Sequence, residues 1–444
     1  MAATHDVVLL FLGIPPREES EGYDRAHMLL PKQQLELFKS IASIKKSRPK
    51  MRIITIISGG SPVELEFASI SDAILLQYLP GEAGSEALSN ILTGAVNPSG
   101  KLTDTIAERA GDYPGTSSLF HTKNNIFTNK VVIFFILFFD IVIKFIKELL
   151  IKLTMYKESI FVGYRYYLTS GKGVLYPFGY GLSYTSFEYS GMELSSHDAS
   201  RGSSISVSVN VKNTGKYDGA EVIQVYSSFK NSSSSSDPEK EIIRPTRELR
   251  GFYKVFLKKG QKKRITIDIP TESLSFFDPI EDKFILQPGT YAIQVASSCE
   301  NIKLSEDIHV TSDDVVEPSH VDSGYFNLSK TGIYIVPNKN FYDHLGREER
   351  VEQHKKYTVH STFNDISKTW IGSIIKSSIL NGASKNVRKG LISDADSENY
   401  TKMVMNSPIC IIKSRGQAIY GDENSSNDIR DMASEIIEQD KKID

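Results

Sequence analysis

The first 110 residues alternate short apolar runs with segments whose apolar residues recur at helical spacing. Nearly continuous apolar strands separated by helices are typical of a parallel sheet covered by helices on both faces. Strands are predicted at Val7 to Leu12, Ile53 to Ile57 and Ala73 to Leu76. Three helices are predicted between and after them: one begins near Pro31, a second follows Gly59-Gly60 and runs through Ala68, and a third covers Glu82 to Leu92. Three strands are few for such a sheet. We therefore expect an α/β sandwich over residues 1–120, truncated at its N-terminal side.

From about Leu182 the pattern changes to strict alternation of apolar and polar residues. Alternation over short runs with Gly or Pro turns between them is typical of an antiparallel β-sandwich, here expected over 183–312. The strands are predicted at Ser204 to Val211, Val222 to Tyr226, Ile265 to Ile269 and Tyr291 to Val295. Residues 156–182 are expected to connect the two domains, with their aromatic side chains packed between them. The polar, weakly patterned residues 313–444 are expected to be a partly ordered extension.

The most apolar part of the chain lies at 121–155, between the two domains. Its core, Val131 to Leu153, is long enough to span a bilayer. Charges that begin at Asp140 oppose that reading, because each costs about 2.5–3.5 kcal/mol near the bilayer centre. Three interpretations stay open: a retained intron or gene-model error, since codons for Phe, Ile, Lys, Asn and Leu are often rich in A and T; a peripheral or spanning helix; or a buried helix.

Composition and charge exclude several classes of function. The 444 residues carry a formal net charge of −2, so no general attraction to nucleic acid is expected. Two cysteines exclude a disulfide framework and a Cys-rich metal site, the nine histidines show no metal-ligand spacing, and no cofactor is expected. The densest basic run, Lys254 to Arg264, is predicted to be a solvated hairpin turn around Gly260. Met1 to Leu12 lacks the basic start of a secretory signal, so the chain as written is expected to be cytoplasmic.

An acidic loop directly follows the first predicted strand. It contains Glu19 and Glu21, and the C-terminal ends of strands are where α/β sheets usually carry their chemistry. A glycosidase needs a second carboxylate about 5–5.5 Å away for retention, or about 6.5–9.5 Å away for inversion. Taken alone, these residues favour a simpler interpretation, an ion-paired loop that uses Asp24 and Arg25.

Several longer motifs resemble a known family. From Asp6 to about Val310 the chain is similar to the C-terminal half of glycoside hydrolase family 3, the β-glucosidase and β-xylosidase type. The motifs are SEGYDR (Ser20 to Arg25), LPGEAGSEALSNILTGAVNPSGKL (Leu79 to Leu102), DYPGT (Asp112 to Thr116), IFVGYRYY (Ile160 to Tyr167), LYPFGYGLSYTSFEYS (Leu175 to Ser190), NTGKYDGAEVIQVY (Asn213 to Tyr226), RELRGFYKV (Arg247 to Val255) and QPGTYAIQV (Gln287 to Val295). The resemblance implies that the second domain is fibronectin type III-like.

The resemblance also implies a reaction. Enzymes of this family join a (β/α)8 barrel to the α/β sandwich and hydrolyse glycosides with retention. A barrel Asp is the nucleophile, and a Glu of the sandwich is the general acid/base. Matching the SEGYDR motif position by position places that acid/base at Glu21, with Glu19 as the fallback. No nucleophile can be assigned in this chain, because its motifs match only the part of the family that follows the barrel.

The expected function follows from that assignment. The chain is expected to be the C-terminal portion of a β-glucosidase-like enzyme that hydrolyses terminal non-reducing β-D-glycosyl residues, and to be inactive alone. Its partner would be a β-linked oligosaccharide or glycoside; nucleic acid is not expected, and residues 131–153 are the only hint of a membrane. The alternative is a non-catalytic, carbohydrate-associated or interaction module.

Overall fold

A computed structural model gives the architecture of the two domains. It describes residues 2–16, 18–19, 25, 27–115, 158, 160–230, 244–278, 281–314 and 362–367, together with positions 373, 376–377, 380–381, 401 and 405–406. The hydrophobic segment 121–155 and the acid/base candidate Glu21 lie outside the described residues. No helix within the described ranges is long and apolar enough to cross a membrane.

The N-terminal domain contains a three-stranded parallel sheet. Its strands are β1 (Val7–Gly13), β2 (Arg52–Ser58) and β3 (Ala73–Tyr78), in that order across the sheet. All three sequence predictions of strands are therefore confirmed. In β2, four of the five residues from Ile53 to Ile57 are buried, because the central strand of a parallel sheet is covered on both faces.

Helix α1 (Lys32–Ser47) covers one face of this sheet. Its buried residues Phe38, Ile41 and Ala42 follow the spacing of a single helix face. They join one hydrophobic core with Leu10 and Ile53 of the sheet. Helix α2 (Gly84–Leu92) follows β3, as the sequence predicts.

The helix predicted through Ala68 is wrong. Residues 62–65 have no regular secondary structure, and 66–70 form turns. Every second side chain is buried instead: Val63, Leu65 and Phe67 lie in the core. An extended path with one buried face explains this period of two.

An antiparallel β-sandwich forms the second domain. Its five-stranded sheet has the order β5-β13-β12-β7-β8, its three-stranded sheet the order β4-β6-β9, and β10 and β11 form a separate pair. The strands are β4 (Phe187–Leu194), β5 (Asp198–Ser200), β6 (Ser204–Asn213), β7 (Gly219–Lys230), β8 (Glu248–Leu257), β9 (Lys262–Pro270), β10 (Phe276–Asp278), β11 (Lys283–Ile285), β12 (Gly289–Ala296) and β13 (Ile302–Thr311). The predicted order of a parallel α/β domain followed by an antiparallel sandwich is confirmed.

Alternating side chains build the sandwich core. In β6, Ile205, Val207, Val209 and Val211 are buried while serines and Asn210 lie between them. They meet apolar residues of the other sheet, including Ile223, Val225, Ile293 and Val295. The basic run around Gly260 is a turn, but β8 and β9 belong to different sheets and do not pair as a hairpin.

The two domains meet through a short helix and aromatic residues. Helix α3 (Tyr164–Ser170) begins after Gly163. The Tyr164 ring stacks on Phe178, with 4.8 Å between ring centroids, and meets Tyr226 of the sandwich edge-on at 6.1 Å. Tyr176 of the same connecting segment packs against the core of the N-terminal domain, so the aromatic residues of this segment contact both domains, as expected. In the extension, the structure describes the short helix α4 (Phe363–Ile366).

Candidate functional site

The loops that leave the three parallel strands meet at the C-terminal edge of the sheet. Parallel strands end on the same edge, so the loop after β1 reaches the loops after β2 and β3. The Ile14 amide donates to the Ser58 carbonyl at 3.1 Å, and the Gly59 amide donates to the Tyr78 carbonyl at 3.0 Å. Gln34 of α1 fixes the end of β1: its side chain accepts from the Gly13 amide at 2.9 Å and donates to the Gly13 carbonyl at 2.8 Å.

Glu19 ties the acidic loop to the loop after β2. Its Oε2 accepts from the Gly60 amide at 2.9 Å, and its Oε1 accepts from the Ser61 hydroxyl at 2.5 Å. A side chain at position 60 would crowd this contact, since a Cβ there would lie 3.0 Å from Leu79 and 3.4 Å from Glu19 Oε1. Gly60 therefore lets the backbone approach the carboxylate.

Arg25 completes this polar cluster. Its guanidinium donates to the Ser61 hydroxyl at 3.2 Å, to the Pro62 carbonyl at 2.9 Å and to the Leu29 carbonyl at 3.3 Å. Ser61 thus bridges Glu19 and Arg25. Asp24, the other member of the ion pair considered from the sequence, lies outside the described residues.

The electrostatic environment keeps Glu19 ionised. Partial burial works to raise the pKa of Glu19, but the Ser61 hydroxyl, the Gly60 and Ser61 amides and the Arg25 charge more than offset it, and its pKa lies below the ordinary value. A general acid needs the opposite shift, a pKa raised toward the working pH. In this arrangement, Glu19 is suited to holding the loop in place.

A pocket opens beside this cluster. Ile57, Leu76 and Ile106 form apolar parts of its wall, and Ser61, Tyr78 and Asp104 supply polar groups. Tyr78 adopts a left-handed backbone conformation with φ of 52°, which is uncommon for a residue with a bulky side chain. Tyr78 as a whole residue is 40% exposed. Partial burial and the Asp104 carboxylate raise the pKa of the Tyr78 hydroxyl, so the phenol stays neutral.

The structure brings together only part of the predicted site. Glu19 lies in the polar cluster described above, whereas Glu21 lies outside the described residues. Ser61 and Tyr78 were not identified from the sequence. The signal for Tyr78 was its place two residues after a predicted strand, just before Leu79-Pro80-Gly81. Among the described residues, no group of His, Cys, Asp and Glu side chains is arranged to hold a metal ion.

Comparison with known proteins identifies both domains. Residues 1–184 match the glycosyl hydrolase family 3 C-terminal domain, and residues 221–299 match the fibronectin type III-like domain. The chain belongs to glycoside hydrolase family 3. The sandwich of this family 3 chain is therefore of the fibronectin type III-like class that the resemblance implied.

Curated relatives share this part of their sequence with the chain. Thermostable β-glucosidase B of Acetivibrio thermocellus is 34% identical over 311 residues, which is 70% of this chain and 36% of that protein. An exo-α-(1→6)-L-arabinopyranosidase of Bifidobacterium breve is 32% identical over 318 residues, 71% of this chain and 36% of that protein. The chain thus spans about a third of the length of these curated relatives.

Solved structures show the same fold. A family 3 β-glucosidase of Bifidobacterium adolescentis aligns with a TM-score of 0.57 at 29% identity, over 84% of this chain and 44% of its own. The β-glucosidase of Kluyveromyces marxianus in complex with glucose aligns with a TM-score of 0.56 at 33% identity, over 70% and 32% of the two chains.

Proposed function

We propose that these residues are the C-terminal part of a retaining β-glycosidase and supply its general acid/base, Glu21. The observation that carries this proposal is the match of residues 1–184 to the family 3 C-terminal domain, with the acidic loop at the C-terminal edge of a parallel sheet. The hydrolysis of terminal β-D-glycosyl residues is proposed because curated relatives are named as β-glucosidases.

The surroundings of the loop support Glu21 over Glu19 as the acid. Glu19 is held by the Ser61 hydroxyl and the Gly60 amide, and its lowered pKa makes it a poor proton donor. With Glu19 occupied as an anchor, we assign the proton donor to Glu21, the residue at which the SEGYDR motif places the acid/base. A carboxyl covered by a second domain would lose hydration, which raises its pKa and lets it protonate the leaving glycosidic oxygen.

Tyr78 is proposed to contact the leaving group. It lies on the pocket beside the acidic loop, with an exposed ring held in an uncommon backbone conformation. An aromatic face of this kind packs against the apolar face of a sugar or an aryl group. Residues outside 1–444 would supply the nucleophile, and they would also select the sugar that occupies the other half of the site.

The first experiment assays the 444-residue chain by itself on aryl-β-glucosides. We expect no turnover, because retention requires a nucleophile opposite the acid/base. Turnover that survives purification, and that Glu21→Gln removes, would contradict the assignment of the nucleophile to residues outside this chain.

The second experiment supplies the missing half. The matched part of Acetivibrio thermocellus β-glucosidase B is replaced by this chain, and the chimera is assayed on glucosides with good and poor leaving groups. We expect Glu21→Gln to lower kcat about 10²- to 10⁴-fold on poor leaving groups and much less on activated ones. Glu19→Gln is the matched control. An equal loss on both substrate types would assign Glu21 a structural role.

The same chimera tests the alternative, a non-catalytic carbohydrate-associated or interaction module. A chimera that folds with native thermal stability but turns over no β-glucoside would favour that alternative.

A further inference from the structure

Five exposed lysines gather at one end of the β-sandwich, which we name the basic end. They are Lys212, Lys216, Lys258, Lys259 and Lys262. The chain as a whole has a formal net charge of −2, so this concentration of positive charge is local. A long-range field of this kind attracts a partner of opposite charge.

Backbone contacts hold the lysine-bearing turns together. The Gly260 amide donates to the Asn213 carbonyl at 3.0 Å, and the Asn213 amide donates to the Gln261 carbonyl at 2.9 Å. In the same region the Lys259 amide donates to Asp218 Oδ1 at 2.7 Å, which joins the turn after β8 to the turn after β6. The lysines are therefore brought together by the fold and not only by sequence.

The charges of these lysines are not neutralised within the described part of the chain. None of the five ammonium groups forms an ion pair with a described carboxylate. Lys212 and Lys262 are direct partners across β6 and β9, a like-charge pair that destabilises a sheet. Two acidic residues lie close by. Asp218 accepts from the Lys259 amide, and Glu188 of β4 lies opposite Lys212 of β6. Two carboxylates against five lysines leave the basic end positive.

The C-terminal extension carries a segment of complementary charge. From Asp422 to Asp440 the sequence has seven carboxyl side chains and one basic residue, Arg430. The described sandwich ends at Asp314, beyond β13 and at the end of β7 opposite the basic end. The twelve residues of β7 make that separation about 40 Å. Residues 315–421 are long enough to cover it many times over.

We propose that the acidic segment Asp422 to Asp440 docks on the basic end of the same molecule. The contact would place the extension beside the domain junction, because Asn97 of the N-terminal domain donates to the Asp218 carbonyl at 2.9 Å. Docking between exposed charges is screened by salt over about 8 Å at physiological ionic strength, so it is expected to weaken as salt rises.

The test is zero-length carbodiimide cross-linking of the 444-residue chain at low micromolar concentration, with mass spectrometry of the monomer band. We expect amide links between basic-end lysines and carboxylates of 422–440 at low salt. Most of these links should be lost at 0.5 M NaCl, where the Debye length is about 4 Å. The Lys230–Asp307 ion pair, with Nζ 2.6 Å from Oδ2, is the internal positive control.

Charge reversal sharpens the test. Lys258→Glu, Lys259→Glu and Lys262→Glu together should reduce the links from Lys212 and Lys216 to the acidic segment more than fivefold. The matched control reverses three exposed lysines elsewhere, Lys39, Lys46 and Lys50, and should leave those links unchanged.

Two results would overturn the proposal. One is formation of the Lys230–Asp307 link without any link between the basic end and the acidic segment. The other is the appearance of those links only in covalent dimers, which would assign the basic end to a second copy of the chain.

Discussion

Lys101 and Glu221 form an ion pair across the junction of the two domains. The Lys101 Nζ lies 3.0 Å from Glu221 Oε1, and the side chains are only 13% and 8% exposed. Lys101 also donates to the Gly181 carbonyl at 2.9 Å, in the segment that connects the domains. The Lys101 side chain, which belongs to the α/β domain, thus contacts both the connecting segment and the sandwich.

Removing one partner of this ion pair should lower the stability of the protein. Lys101→Met leaves the Glu221 carboxylate buried without its counter-charge, and we expect a loss of about 3–5 kcal/mol of unfolding free energy. Lys101→Met combined with Glu221→Leu should recover much of that loss, because neither charge then remains buried. Urea unfolding of both variants measures the difference. A double variant as unstable as the single one would show that packing at this site matters more than charge.

Gly179 should tolerate no side chain. It has φ of 79°, and a Cβ there would lie 2.2 Å from Gln224 Oε1. Gln224 cannot give way freely, because its amide donates to the Gly179 carbonyl at 3.1 Å and accepts from the Tyr226 hydroxyl at 2.6 Å. We expect Gly179→Ala to cost about 3 kcal/mol through backbone strain and overpacking.

Gly171 supplies the control for that substitution. Its φ of 66° is similar, but no atom lies within 4 Å of a Cβ built there. Gly171→Ala should therefore show the backbone strain alone, about 1 kcal/mol. Equal losses of thermal stability in the two variants would mean that Gln224 moves aside and the junction is looser than its contacts indicate.

Asp72 should make stability depend on acidic pH. The Lys45 ammonium, the Ile53 amide and Arg52 stabilise its charged form and hold its pKa well below the ordinary value, despite the opposing effect of burial. Because the folded pKa is lowered, this contribution is present above the unfolded pKa of about 3.9 and is lost as the pH falls through the folded pKa.

Asp72→Asn should lower the unfolding free energy by about 2 kcal/mol at pH 6 and make it less sensitive to acid. Urea unfolding at pH 6 and pH 2.5 measures both effects. Asp6→Asn is the control: Asp6 pairs with Arg48 but is 91% exposed, so a loss below about 0.5 kcal/mol is expected. An unchanged acid sensitivity in Asp72→Asn would place the titrating group elsewhere.

The sequence predicted which residues form strands better than it predicted which strands lie side by side in a sheet. The three parallel strands were identified because their apolar runs are nearly continuous. The helix through Ala68 was predicted where Val63-Glu64-Leu65-Glu66-Phe67 alternates with a period of two, a pattern that indicates an extended path. Periodicity also could not tell that β8 and β9 belong to different sheets, since a strand's pattern shows which faces are buried and not which strand lies beside it.

For the candidate site, the sequence likewise predicted the location but not the contacts. The rule that parallel strands end on one edge predicted that functional groups gather after β1, where Glu19 lies. The contact of Glu19 with Ser61 spans 42 positions and depends on how two loops pack, so no spacing in the sequence could have predicted it. The same contact gives Glu19, the fallback of the sequence analysis, the role of an anchor, and the assignment of the acid/base to Glu21 stays a prediction.

Glu19 should act as the anchor of the acidic loop. Glu19→Gln removes the charge that the Gly60 amide, the Ser61 hydroxyl and Arg25 stabilise, and we expect a loss of about 1 kcal/mol at pH 7. Because the pKa of Glu19 is lowered in the folded protein, its contribution should be lost as the pH falls below about 4.3. The stability difference between wild type and Glu19→Gln, measured by urea unfolding, should therefore shrink between pH 7 and pH 3. Ser61→Ala is the control, because it removes one hydrogen-bond donor but keeps the carboxylate; its unfolding free energy should depend more on acidic pH than that of Glu19→Gln. If the stability difference between wild type and Glu19→Gln stayed constant with pH, Glu19 would act through packing and not through its charge.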